Sequence, residues 1–170
     1  MSMHERRVRL WIGCRGALLS TLVVLATAGC GASSVPATVE DVAAVLDDWH
    51  AAAAAADEER YFGHFASDGV FLGTDDSERW TVAGFRDYAH PYFSQGRGWT
   101  YLPRERHVLL SDDGRLAWFD EKLDNEQYGR VRGTGVLRRT DEGWKIVHYS
   151  LSFPIPNEVT LTVAEIVRGG

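Results

Sequence analysis

The chain has 170 residues, 45% of them hydrophobic and 25% charged, the size and make-up of one ordinary globular domain. Its 18 lysines and arginines face 24 acids, and Cys14 and Cys30 are its only cysteines. A formal charge of −6 lacks the basic excess that phosphate backbones attract, and two cysteines cannot staple a small scaffold, so nucleic-acid binding and a disulfide framework are poor readings.

The chain opens with Arg6, Arg7, Arg9 and Arg15, then an uncharged run from Gly16 to Ala28 that closes on Thr27-Ala28-Gly29-Cys30. That run is shorter than the roughly 20 residues of a bilayer span, and small residues precede the cysteine. Residues 1–29 therefore read as a secretion signal and not as a transmembrane helix. The tetrad resembles the lipobox of bacterial lipoproteins, with Thr27 where Leu, Val or Ile is usual. The resemblance implies a diacylglyceryl group on the sulfur of Cys30 and a tether over residues 30–37. It places the protein outside the cytoplasm, in the bacterial cell envelope, anchored to a membrane by lipid. A signal cut elsewhere would instead leave a secreted soluble domain. Without residues 1–29 the balance is 14 basic against 23 acidic residues, a charge of −9 that disfavours docking to anionic headgroups through a basic face.

A folded domain is expected over residues 38–157. Thr38-Val-Glu-Asp41 has the form of a capping box, and Val39, Val42, Leu46, Trp49 and Ala53 recur at helical spacing, so a first amphipathic helix runs from about 38 to 56. The alanine run 51–56 lengthens it. Asp57 is placed to cap a short second helix carrying Tyr61, Phe62 and Phe65. Ser67-Asp68-Gly69 turns the chain into a short strand, Val70-Phe71-Leu72. Val82, Phe85, Tyr88, Ala89 and Phe93 mark a third helix after Thr81, which Pro91 should kink or shorten. Four long strands follow, from Trp99, Arg115, Gly129 and Gly143, joined by turns such as Asp112-Asp113-Gly114. Helices early and strands late predict an α+β domain, and residues 158–170 a C-terminal tail.

The order of these elements, with the strings Glu59-Arg60-Tyr61-Phe62, Phe71-Leu72-Gly73-Thr74-Asp75, Glu78-Arg79-Trp80, Ala117-Trp118-Phe119-Asp120-Glu121 and Pro154-Ile155-Pro156-Asn157, resembles the SnoaL-like group of the nuclear transport factor 2 (NTF2-like) superfamily. The resemblance implies a cone in which a curved antiparallel β-sheet wraps three N-terminal helices, a pocket at the open end, and a homodimer formed through the sheet. It implies no single reaction, because the superfamily holds isomerases, cyclases, dehydratases, carriers and assembly modules. In a ketosteroid-isomerase-like mechanism the base would fall near Gly73 and the second acid near Arg132. Neither residue is a carboxylic acid, so that mechanism does not carry over. Asp75, two residues on, is about 7 Å away along a strand.

The pocket candidates are Trp80, Trp99, Tyr101, Arg106, Trp118, Asp120, Glu121, Arg132 and Tyr149, with Arg104 as an alternative to Arg106. Strand alternation allows only one of Asp120 and Glu121 to face inward, where pairing with Arg132 would make it a structural group. Either His148 or Tyr149 can enter the pocket. Asp120, Glu121 and His148 are the candidate acid–base groups, with no catalytic assignment among them. Gly133 and Gly135 lie within a strand and suit close packing more than phosphate binding. The histidines are scattered, with no pair at i, i+4 and no clustered cysteine, so neither a metal nor a cofactor is expected. Three readings remain. The first is a tethered domain that binds a small, partly apolar molecule. The second is an acid–base isomerase or lyase, and the third is an assembly module without ligand.

Overall fold

The computed structural model describes residues 36–169; the signal segment and Cys30 lie outside the described residues. Helix α1 (Val39–Ala54) begins at the expected capping box, in which Thr38 Oγ1 accepts from the Asp41 N–H at 3.1 Å and an Asp41 carboxylate oxygen accepts from the Thr38 N–H at 3.0 Å. Its inward stripe is Val42, Leu46, Trp49, His50 and Ala53. Asp57 caps α2 (Glu58–Gly63), accepting from the Arg60 N–H. Thr81 caps α3 (Val82–Phe93), accepting from the Gly84 N–H.

Six strands form one sheet: β1 (Phe65–Leu72), β2 (Arg79–Thr81), β3 (Leu102–Leu110), β4 (Leu116–Asn125), β5 (Gly129–Thr140) and β6 (Gly143–Ser152). The order is β2-β1-β6-β5-β4-β3, with β1 parallel to β6 and every other pair antiparallel. The α+β class is as expected, and the helices cover one face of this curved, open sheet. Trp49 sits at the centre of the core, its ring 5.3 Å from Tyr61, 5.7 Å from Phe65 and 4.7 Å from Tyr149. Aromatic pairs in such arrangements contribute roughly 0.5–1.5 kcal/mol each beyond their burial.

Four features depart from the sequence reading. Strand β1 starts at Phe65, and Ser67-Asp68-Gly69 is an irregularity within it, where the pairing with β6 shifts register between Phe65 and Val70. The three-residue strand β2 gives no sequence signal because it is too short to show alternation. Pro91 lies in the last turn of α3, and the helix runs on to Phe93. The C-terminal segment, read as a tail, holds helix α4 (Thr160–Arg168), none of whose residues is buried.

Candidate ligand cavity

A cavity of about 540 Å³ lies between the helices and the inner face of the sheet. Its floor is Trp49, His50, Tyr61, Phe71 and Tyr149, all buried. Tyr88, Tyr92 and Tyr128 line it while remaining 40–50% exposed, which places them at the mouth. Each wall has a local cause. The Trp99 N–H donates to the Ala53 carbonyl at the end of α1 at 3.2 Å, which fixes that indole against Phe93 at 4.6 Å. Asn125 ends β4 in an Asx turn, its Oδ1 accepting from the N–H groups of Gln127 and Tyr128. Its Nδ2 donates to Thr100 O at 2.9 Å, so one residue ties the Tyr128 loop to the segment that carries Tyr101.

Beside the floor runs a buried ionic chain. Glu121 is wholly buried, and its Oε1 lies 2.8 Å from His50 Nε2. Its Oε2 accepts from Arg106 Nε at 2.8 Å, and Arg106 Nη1 donates on to Asp47 at 2.7 Å and to the Ala43 carbonyl at 3.2 Å. Burial alone would lower the Arg106 pKa, but Glu121 and Asp47 hold it above the usual guanidinium value. Gly133 faces Glu121 across the β4–β5 ladder. A Cβ there would lie 2.9 Å from Glu121 Oε1 and press on Tyr149 Oη, and one at Gly135 would lie 2.7 Å from Phe119 Cε1. The two glycines thus serve close packing. Burial pushes the phenols of Tyr149 and Tyr61 well above their ordinary pKa, and that of Tyr101 up to about 12. All three therefore stay neutral at physiological pH.

Of the residues singled out from sequence, Trp80, Trp99, Tyr101 and Tyr149 line the cavity. Glu121 and Arg106 form the chain next to it. Trp118, Asp120 and Arg132 do not join them: all three are exposed, on the sheet face turned away from the helices. Trp118 is cross-strand partner to Leu109 and Val136, Asp120 pairs with His107 at 3.3 Å, and Arg132 lies opposite Lys122. Arg104 bonds Asp124 at the surface. His148 is partnered with Val136 and Val70 and shares that outer row. Simple alternation put Ile146 and Tyr149 on opposite faces, but the ladder slips by one residue at Val147, so that Ile146, Tyr149 and Leu151 are all buried.

Sequence reasoning missed His50, Glu78, Tyr88, Tyr92 and Tyr128. His50 carried a signal, since it is one position from Trp49 on the apolar stripe of α1. Glu78 carried none: it reaches the cavity through an irregular turn, where the Gly73 N–H donates to its carbonyl at 2.9 Å and its carboxylate lies against Gly73. Among the described residues, no group of three or more His, Cys, Asp or Glu is placed to hold a metal ion.

A sheet closed on one face by helices, with an aromatic hollow between them, defines the class of cone-pocket α+β domains. The model of the SnoaL-like domain family matches residues 42–156, and the chain belongs to that family. Among curated proteins no sequence matches significantly. Solved structures share the fold. An NTF2-like protein of unknown function from Pseudomonas putida superposes with a TM-score of 0.59 at 17% identity, over 71% of this chain and 89% of that one. A protein from Streptomyces avermitilis, assigned as a dehydratase of the NTF2-like family, gives 0.59 at 15% identity over 69% and 96%. One from Parabacteroides distasonis, assigned as a ketosteroid isomerase, gives 0.55 at 16% identity over 73% and 91%.

Proposed function

We propose that the protein is a membrane-tethered extracytoplasmic domain that binds a small, partly apolar molecule in the cavity. The observation that carries this reading is the 540 Å³ hollow, within the range of roughly 300–1,000 Å³ typical of small-molecule sites and walled mainly by aromatic rings. The full chain, purified from its own host and examined by native mass spectrometry, is expected to retain a small molecule that Trp99→Ala releases. A parent chain of bare mass would overturn the reading. The tether is tested separately: Cys30→Ser should move the protein from the detergent phase to the soluble fraction, and unchanged partitioning would remove the anchor. Leu109, Leu116 and Trp118 stand exposed on the outer sheet face and support pairing of two copies there, so Trp118→Glu should halve the sedimenting mass.

An acid–base enzyme of the isomerase or lyase type is the second reading, and His50 favours it. Its Nε2 is held by Glu121, its other ring nitrogen has no hydrogen-bond partner among the described residues, and the residue lines the cavity. His50 is favoured over Glu121 as the base because His50 and Arg106 each engage one of the Glu121 oxygens. On this reading His50→Gln would abolish turnover of a bound substrate while sparing its binding.

A further inference from the structure

The charge of the cavity wall narrows the kind of guest. Among the described residues none that lines the cavity is a lysine or arginine, whereas Glu78 and Glu126 are acids. Neither acid makes an ion pair among the described residues, and the only lining residue able to become a cation, His50, has its Nε2 turned to Glu121. Glu78 is also held in place: its Oε2 accepts from the Asp75 N–H at 3.2 Å, and its carboxylate rests over the end of β1, where Gly73 alone leaves room.

Next to this fixed carboxylate stand aromatic faces. Trp80 and Tyr88 stack with centroids 5.2 Å apart, and Tyr88 leans on Tyr92 at 5.7 Å. Tyr92 already accepts a cation of the chain itself, since the Arg97 guanidinium lies 5.4 Å from its ring centroid. Ring faces carry negative quadrupole charge, and a carboxylate beside them adds to the same field. Burial first, then a neighbouring phenol (Tyr92 for Tyr88, Tyr128 for Tyr101) and then Glu78 raise the pKa of Tyr88 and Tyr101. A chain with a balance of −9 after residues 1–29 draws in cations over longer range as well.

We propose that the guest is an organic cation, an alkylammonium or quaternary ammonium head on an apolar or aromatic body. The head lies against Trp80 and Tyr88 beside Glu78, and the body points toward Phe85 and Trp99. The proposal rests on the small-molecule reading above and names its ligand class.

The full chain is titrated with three phenyl-bearing probes: benzyltrimethylammonium, its neutral carbon isostere neopentylbenzene, and the anion 3-phenylpropanoate. Binding is read by calorimetry and by tryptophan fluorescence. The cation should bind at least ten-fold more tightly than the isostere, with the anion weakest. Glu78→Gln should lower cation affinity about five- to ten-fold and leave the isostere unchanged. The variant keeps an oxygen for the Asp75 N–H and should melt with the parent. If it does not, the cation-to-isostere ratio on the parent chain decides alone. Equal binding of cation and isostere, or tighter binding of the anion, overturns the cation assignment and leaves the cavity reading standing. Failure of all three probes also overturns it, while the cavity reading falls only if the native chain carries no guest.

Discussion

Asp120 and Glu121 are neighbours in sequence with the same charge, yet the sheet sends them to different worlds. Asp120 is 52% exposed and meets a half-exposed His107 at 3.3 Å, whereas Glu121 has no exposed surface and bonds both His50 and Arg106 at 2.8 Å. In water a pair such as the first contributes roughly 0–1 kcal/mol, because solvent screens it and two mobile side chains must be ordered. In the core, leaving one member of a charged pair without its partner costs several times more. One step along a strand thus separates a dispensable carboxylate from one on which the fold depends.

The largest test of that contrast is Glu121→Gln, which removes the buried charge between His50 and Arg106, leaves Arg106 with Asp47 as its one ionic partner, and should lower unfolding free energy by about 3 kcal/mol in a urea titration. A loss below about 1 kcal/mol would mean that water reaches the ionic chain. Gly133→Ala probes the same spot without touching a charge. Its methyl would crowd Glu121 Oε1 and Tyr149 Oη, with an expected cost of about 2 kcal/mol that a repacking core could reduce.

A smaller effect is expected at Asp48, on the exposed side of α1. The hydrogen bond from Arg60 lowers its pKa from 3.8 to about 2, with His64 helping and partial burial opposing. Because the folded-state pKa lies below the unfolded one, the contribution is complete above about pH 5 and is lost as pH falls through about 2. Asp48 is 45% exposed, so solvent screening holds the effect to under about 1 kcal/mol. Melts of Asp48→Asn should fall below the parent at pH 6, and the gap should shrink as pH falls from about 5 through about 2; a constant gap would place the effect elsewhere. Asp120→Asn should be the smallest, within about 0.5 kcal/mol of the parent. A loss as large as that of Glu121→Gln would erase the distinction between the two faces.

Much of the fold was legible because its signals are local. Thr38 with Asp41, Asp57 before Glu58, and Thr81 before Val82 each mark a helix start through a bond that closes within three residues. The long strands announced themselves by β-branched and aromatic residues between turns. The site was legible in part. Trp80, Trp99, Tyr101 and Tyr149, singled out as large aromatics, line the cavity, though of the four only Tyr149 lies in the strand expected for it, and the inward acid expected beside Arg132 is Glu121 beside Arg106. Trp118, Asp120, Arg132 and His148 were misplaced, because strand alternation sorts residues into two faces without saying which one the helices cover.

The amino-acid sequence by itself determined the three N-terminal helices with their caps, the four long strands, the acidic balance and the SnoaL-like family, since each depends on neighbours along the chain or on a pattern that any single sequence displays. Only the tertiary structure decided which face of β4 is inside, that β6 slips at Val147, and that Glu78 folds over Gly73 into the cavity wall. Those outcomes depend on contacts between residues far apart in the chain. Helix α1, laid across the sheet so that His50 and Asp47 reach Glu121 and Arg106, sets which carboxylate is buried and which is left to water.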